Sequence, residues 1–152
     1  MRYLVLVIGF LFLGCAGSSG EMANERPVLG RSGLTLGVEV ESARIAVGEN
    51  LVVVLTVAND RDEPHSVRFT SGCLYGFGLW NAEGELVAPP APMCTMNAPV
   101  VEFGAGEIVE KRFEWKWDGS NLAPGTYLLK AGIGPRGELD SSVGVEVQLV
   151  VK

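Results

Sequence analysis

Apolar and polar residues alternate with a period of two along most of the chain after residue 33. Leu34, Leu36, Val38 and Val40 are separated by polar or small residues. Because successive side chains of a strand point to opposite faces, this alternation predicts a half-buried β-strand. The same kind of pattern predicts further strands over residues 66–70, 75–80, 113–117, 127–133 and 143–151, and residues 100–103 are a brief further candidate.

Residues 51–58 carry a different pattern, because they are apolar at nearly every position. Their sequence, LVVVLTVA, is rich in β-branched side chains. Such a run predicts a central strand that is covered on both faces.

Turn residues separate these segments. Asn81 to Gly84 fits a hairpin turn, Gly104 to Gly106 fits a further break, and Pro124-Gly125 fits the centre of a type II turn. After residue 33, no segment has a helical period over ten residues. Seven or eight short strands joined by turns predict an all-β fold, an immunoglobulin-like antiparallel β-sandwich over residues 34–152.

The first 14 residues resemble a targeting signal rather than part of the fold. Arg2 precedes an uncharged apolar run over residues 3–13. As a helix this run would span about 16 Å, too short for a bilayer core of about 30 Å, so it indicates a secretory signal. The run ends in Leu11-Phe12-Leu13-Gly14-Cys15, which resembles the lipobox of bacterial lipoproteins. An ordinary signal peptide is the alternative interpretation.

The lipobox resemblance implies cleavage before Cys15 and attachment of lipid to Cys15. We therefore expect a protein anchored to the cell envelope by its N-terminal lipid. Ala16 follows the cysteine. In bacterial lipoproteins, a residue other than aspartate at this position favours sorting to the outer membrane, so the resemblance implies that location in a cell with two membranes. Residues 16–33 have no period and are rich in glycine, serine and charge, so residues 15–33 are predicted to be a flexible tether.

The composition excludes several classes of function. The chain has 18 acidic and 12 basic residues, for a net charge of −6. Such a surface repels phosphate backbones, which disfavours nucleic acid as a partner. His65 is the single histidine. This disfavours zinc sites with several histidine ligands and most catalytic sites that depend on histidine. We predict no enzymatic activity and no cofactor.

Cys73 and Cys94 remain once Cys15 carries lipid. Two cysteines in an exported protein most often pair, so we predict a structural disulfide between them. Together with His65, Met93 and Met96 they are also the soft ligands that a copper site would use. Their spacing is not typical of such a site, and a disulfide would consume both thiols. We therefore predict no metal site, with soft-metal binding as a minor alternative.

Residues 88–97 form the loop that we single out for binding a partner. Three prolines restrict its backbone, and Cys94 would fix its end. A rigid, exposed loop loses little entropy when it binds. The predicted contact residues are Pro89, Pro90, Pro92, Met93, Thr95 and Met96. The alternative is a plain surface connection.

An ordered series of motifs over residues 51–133 carries a family resemblance. The apolar strand ends in Asn59, and it is followed by V-x-F-x-S-G-x-x-Y-x-F-x-L at residues 67–79. The turn at residues 81–84, the strand FEWKW at 113–117 and LAPGTY at 122–127 complete the series. In order and spacing, this series resembles the BsuPI family, the intracellular proteinase inhibitor domain.

The resemblance implies a β-sandwich that binds a protein, in the first place a serine protease, without enzymatic activity. One segment departs from the family pattern. Family members tend to have an aromatic-rich segment after the turn, whereas residues 85–92, ELVAPPAP, contain no aromatic residue. The resemblance therefore implies the fold more strongly than the inhibitory activity. A structural or envelope-assembly lipoprotein is the alternative function.

Overall fold

The computed structural model describes residues 23–24, 28–30, 32–90, 92–120, 122–135 and 144–150. The regular structure of these residues is β-strand throughout, and none of them forms a helix long and apolar enough to cross a membrane. Cys15 and the predicted signal lie outside the described residues. The strands are β1 (Ala23–Asn24), β2 (Val28–Leu29), β3 (Thr35–Val40), β4 (Arg44–Ala46), β5 (Asn50–Ala58), β6 (His65–Arg68), β7 (Tyr75–Trp80), β8 (Leu86–Ala88), β9 (Val100–Phe103), β10 (Ile108–Lys116), β11 (Gly125–Ile133) and β12 (Gly144–Val150).

The strands form two five-stranded sheets and one two-stranded sheet. The first has the order β1-β3-β5-β10, with β2 also paired to β3, and the second has the order β4-β12-β11-β7-β8. The two-stranded sheet pairs β6 with β9. The predicted all-β, immunoglobulin-like sandwich is confirmed. The described strands outnumber the seven or eight predicted because several contain only two to four residues, and one described pair, β4 with β12, is parallel.

Alternating apolar residues of both large sheets form the core. Leu36 and Val38 of β3, Leu55 of β5, and Leu129 and Ala131 of β11 are all buried. Fully burying a leucine or valine side chain contributes about 1.5–3 kcal/mol, so these alternating positions drive the two sheets together.

Strand β5 lies between β3 and β10, which confirms its central position. Its two faces are not equally covered, however. Leu51, Val53, Leu55 and Val57 have no exposed surface, whereas Val54 on the other face is half-buried. The second face of this strand is therefore covered only in part, which corrects the prediction of complete cover.

Two short strands lie within the predicted tether. Strand β1 pairs with the end of β3, and β2 pairs with its beginning. These four residues therefore add to an edge of the first sheet instead of belonging to a free tether. Backbone hydrogen bonds along β3 satisfy their polar groups, which a pattern without periodicity could not reveal.

The predicted turns differ in their outcome. Gly84 has φ +79° and its N–H donates to the carbonyl of Asn81, so the hairpin turn between β7 and β8 is confirmed. Gly106, with φ +68°, confirms the break before β10. The type II turn at Pro124-Gly125 is wrong, because Gly125 does not have a positive φ and begins β11 instead.

Candidate functional site

The predicted partner-binding loop lies beside the segment that follows β6. We call residues 89–90 and 92–99 the loop, and residues 69–73 the frame. The N–H of Phe69 donates to the carbonyl of Pro99 over 2.9 Å, and the N–H of Gly72 donates to the carbonyl of Thr95 over 3.0 Å. These bonds continue the antiparallel pairing of β6 with β9 beyond the ends of both strands.

A disulfide joins the frame to the loop. Cys73 and Cys94 are bonded, with their Cα atoms 5.3 Å apart, as the sequence predicted. Together with the two backbone hydrogen bonds, this link holds the second half of the loop at three points. The chain there is ordered although much of it is exposed.

The frame approaches the loop so closely that one position requires glycine. A Cβ atom built on Gly72 would lie 1.8 Å from Oγ1 of Thr95 and 2.8 Å from Oδ1 of Asn97. The Thr95 hydroxyl donates a hydrogen bond to that same Asn97 oxygen. Because any other residue at position 72 would displace these side chains, Gly72 allows the frame and the loop to pack together.

Two methionines of the loop extend into solvent. The exposed fractions of Met93 and Met96 are 102% and 98%. These two side chains, three positions apart on one loop, add apolar surface that a partner can cover. Of the other predicted contact residues, Pro90, Pro92 and Thr95 are exposed and Pro89 is half-buried.

The prolines at the beginning of the loop border an apolar groove of about 250 Å³. Pro92 and Pro135 lie at this groove, and its other principal lining residues are Cys73, Tyr75, Phe77, Pro89, Pro90 and Phe113. The rings of Phe77 and Phe113 are 5.7 Å apart, and the ring of Tyr75 packs edge-on against Phe69 at 6.0 Å. The groove is thus an aromatic floor with a proline rim.

The sequence did not identify these aromatic residues as part of the site. Tyr75 and Phe77 alternate with Gly76 and Gly78, and by itself this alternation predicts only a strand. Gly76 also lines the groove, where it contributes no side chain. A strand in which aromatic residues alternate with glycines was the available signal, since glycine leaves space beside the rings.

Two charged groups lie near the aromatic floor. The ammonium of Lys111 is 5.5 Å from the centre of the Tyr75 ring. Burial raises the pKa of Tyr75 above its ordinary value of 10.0, and the negative charge of Glu107 raises this pKa further. The phenol is therefore neutral at physiological pH, and the groove presents a mainly apolar surface.

The two cysteines and the histidine considered for a metal site have other partners. Both cysteine sulfurs are in the disulfide. One ring nitrogen of His65 lies 2.6 Å from the carbonyl oxygen of Ser32, and the other lies 3.2 Å from the guanidinium of Arg61. Among the residues that the structure describes, there is no group of three histidine, cysteine or acidic side chains that could hold a metal ion.

The comparison with protein families gives one match. The model of the BsuPI family, described as intracellular proteinase inhibitor, matches residues 38–136, which is more than half of the chain. This range includes the frame, the loop and the aromatic floor. No protein with a curated description matches the chain significantly.

Several solved structures match the chain at low identity and low TM-score. A β-glucosidase of Erythrobacter marinus is 21% identical with a TM-score of 0.45, over 77% of this chain and 16% of the glucosidase. The DNA glycosylase AlkC of Pseudomonas fluorescens is 17% identical with a TM-score of 0.43, over 72% of this chain and 28% of AlkC. A CARDB domain of Pyrococcus furiosus is 13% identical with a TM-score of 0.43, over 90% of this chain and the whole of that domain. At such scores these likenesses carry no argument about function.

Proposed function

The chain belongs to the BsuPI family of intracellular proteinase inhibitors, and we propose that it is a non-enzymatic module that binds and inhibits a serine protease through the loop. The observation that supports this proposal is the combination of order and exposure in one segment. The loop is fixed to the frame by the disulfide and two hydrogen bonds. It nevertheless presents Met93 and Met96 to solvent without cover.

The physical reason is entropic. A protease binds the segment that it attacks in one extended conformation, and a flexible peptide must lose about 1–2 kcal/mol of backbone entropy for each residue that becomes ordered. A loop that is already fixed has lost most of this entropy during folding. It can therefore bind tightly without contributing many contacts.

The groove beside the loop supplies a second contact surface. Its aromatic floor, formed by Tyr75, Phe77 and Phe113, would gain apolar contact with a residue of the protease next to the active site. Aromatic residues in partly covered pockets often dominate binding energy. In this proposal the loop enters the active site of the protease, and the groove contacts the protease surface beside that active site.

A titration of subtilisin with the purified protein tests this function. We expect activity to fall in proportion to the amount of protein added and to reach its minimum near equal concentrations. Replacing residues 92–93 and 95–97 with glycine and serine leaves the disulfide at Cys94 intact, so it should abolish inhibition with little change in the melting temperature. Ile108→Ser, which changes another exposed apolar side chain away from the loop, is the matched control and should inhibit normally. Undiminished subtilisin activity at micromolar concentrations would contradict the proposal.

We further propose that the module is held at the cell envelope by lipid on Cys15. The lipobox-like sequence Leu13-Gly14-Cys15 supports this proposal. Several acyl chains anchor a protein stably, whereas a single chain binds only marginally. Labelled palmitate should be incorporated into the wild type and not into Cys15→Ser, and the wild type should sediment with membranes. Equal labelling of the two proteins would contradict lipid attachment at this residue.

A further inference from the structure

We infer that the peptide bond between Met96 and Asn97 is the bond that the protease attacks, and that Met96 fills the protease's apolar S1 pocket. This inference rests on the proposed inhibitory function and adds to it the reacting bond and the class of protease. It is carried by the contacts on the two sides of Met96, by its exposure, and by the chemistry of its side chain.

The backbone on both sides of Met96 is fixed, while Met96 itself is free to enter a pocket. On the N-terminal side, Cys94 is bonded to Cys73, and the carbonyl of Thr95 accepts the N–H of Gly72. On the C-terminal side, the carbonyl of Pro99 accepts the N–H of Phe69. The side chain of Met96 between these points is 98% exposed.

One side-chain hydrogen bond distinguishes Met96 from the equally exposed Met93. The hydroxyl of Thr95 donates to Oδ1 of Asn97, so the residues before and after Met96 are linked to each other. Across Met93, the sulfur of Cys94 lies 3.5 Å from the carbonyl oxygen of Pro92. A disulfide sulfur has no proton to donate, so this contact is weaker than the hydroxyl hydrogen bond across Met96. The bridge from Thr95 to Asn97 restrains the backbone of Met96 in the conformation that a protease would meet.

The same contacts explain why attack would inhibit the protease instead of consuming the inhibitor. The serine oxygen of the protease attacks the Met96 carbonyl carbon, and its proton passes to the catalytic histidine. The C–N bond then breaks, the histidine returns the proton to the nitrogen of Asn97, and Met96 is held as an ester. In a flexible substrate the new amine would diffuse away, and water would hydrolyse the ester.

Here the amine of Asn97 is retained close to the ester. Thr95 holds the Asn97 side chain, and the bond from Phe69 to Pro99 holds the chain that follows. Attack by this amine on the ester re-forms the peptide bond and returns the serine proton, so the reversal competes with hydrolysis. A preorganised neighbouring nucleophile has a large effective concentration, which favours reversal.

The side chain of Met96 defines the class of protease. Methionine is unbranched, apolar and adaptable, so it fits a deep pocket lined by apolar residues. The corresponding pocket of trypsin contains an aspartate and accepts a positive charge. We therefore expect inhibition of subtilisin-type and chymotrypsin-type proteases and little inhibition of trypsin.

Two lysine variants of the full chain test the assignment. Met96→Lys should inhibit trypsin at least about 100-fold more tightly than the wild type does, and should inhibit chymotrypsin more weakly. Met93→Lys introduces the same charge at an equally exposed position of the same loop, and it should not tighten the inhibition of trypsin. After long incubation of the wild type with subtilisin, mass spectrometry should show one cut, between Met96 and Asn97.

The outcomes separate this inference from the proposed function. If the wild type inhibits subtilisin but Met96→Lys behaves like Met93→Lys, the module is an inhibitor and the reacting bond is not at Met96. A first cut at another peptide bond would also overturn the assignment. If the wild type inhibits neither subtilisin nor chymotrypsin, the proposed function and this inference both fail.

Discussion

The two ends of the β6–β9 pair are fixed by different chemistry, and only one of them leaves groups free for a partner. At the end where β6 begins and β9 finishes, Asn59 is completely buried. Its side-chain amide donates to the carbonyls of Glu63, Phe103 and Gly104 over 2.9–3.0 Å. We call this the closed end, because the hydrogen-bonding capacity of the amide is used within the fold.

At the opposite end, which we call the open end, the frame meets the loop. Here the disulfide and two backbone hydrogen bonds fix the chain without covering its side chains. Met96 is exposed at this end, whereas Phe103 is buried at the closed end of the same strand pair. In this molecule, therefore, a segment can be ordered without being buried. A covalent link and backbone bonds can fix a segment whose side chains remain available for binding.

Removal of the disulfide should have the largest effect, because it releases the open end and leaves the closed end unchanged. The double variant Cys73→Ser, Cys94→Ser releases a link between residues 21 positions apart. In the chain-entropy model this should lower the free energy of unfolding by about 3 kcal/mol. Inhibition of subtilisin should weaken at least about tenfold, because the loop must then be ordered by the protease. Denaturant unfolding and inhibition assays measure the two effects.

The wild type treated with a reductant is the control for the serine side chains, and it should behave like the double variant. If unfolding and inhibition are both unchanged in the variant, the disulfide does not order the open end. If stability falls while inhibition is retained, the loop is fixed sufficiently by its hydrogen bonds alone.

The variant Asn59→Ala should produce the converse result at the closed end. It would leave three carbonyl oxygens without their amide donor, and an unsatisfied buried polar group costs about 1–3 kcal/mol. We expect the free energy of unfolding to fall by about 2 kcal/mol, with inhibition per folded molecule unchanged. Asn50→Ala, at the exposed asparagine that begins β5, should change stability by less than about 0.5 kcal/mol. A loss of inhibition in Asn59→Ala would show that the two ends are coupled.

The sequence predicts a strand well when the residues of that strand carry the pattern themselves. It predicts poorly the features that depend on distant residues. The strand over residues 100–103 was predicted with its observed bounds, because Pro99 and Gly104 flank a short and mainly apolar run. Strands β4 and β8 contain three residues each, which is too few to show alternation. The parallel pairing of β4 with β12 depends on residues about 100 positions apart, and no local pattern encodes such a pairing.

The candidate site divides in the same way. The disulfide and the proline-rich loop were predictable, because cysteine and proline restrict the chain through their own covalent structure. The contact of Gly72 with Thr95 was not, since it arises from the register of β6 against β9. The aromatic floor could not be predicted either, because the packing of two different sheets brings Phe113 next to Phe77.

A substitution at Gly72 should have a smaller effect on stability. It should weaken inhibition more than it destabilises the fold. In Gly72→Ala the new methyl group would lie 1.8 Å from Oγ1 of Thr95, so the loop must move. On an exposed loop this should cost about 1 kcal/mol of stability, while the bridge from Thr95 to Asn97 is disturbed and inhibition weakens. Gly104→Ala is the matched control at the closed end, where the nearest side-chain atom is 3.5 Å away. Equal inhibition by the two variants would show that the fit at Gly72 is unimportant for binding.

The titration of Tyr75 should have the smallest effect on stability. It tests whether water is excluded from the aromatic floor beside the loop. Burial, and then the charge of Glu107, raise the pKa of this phenol above 10.0. The folded state therefore retains the phenol proton to higher pH than the unfolded state does. By linkage, the stability contributed by the protonated phenol is fully present below about pH 10 and is lost as the pH rises through the raised pKa.

Tyr75→Phe removes this titration and keeps the ring against Phe69. The free energy of unfolding of the wild type should therefore decline more steeply above about pH 10 than that of the variant. Below that pH, the difference between the two proteins should be constant. Denaturant unfolding at a series of pH values measures both curves, and because lysines titrate in both proteins, only their difference reports on Tyr75. Parallel curves throughout would mean that water reaches the phenol, and that the groove beside the loop is wetter than its apolar lining indicates.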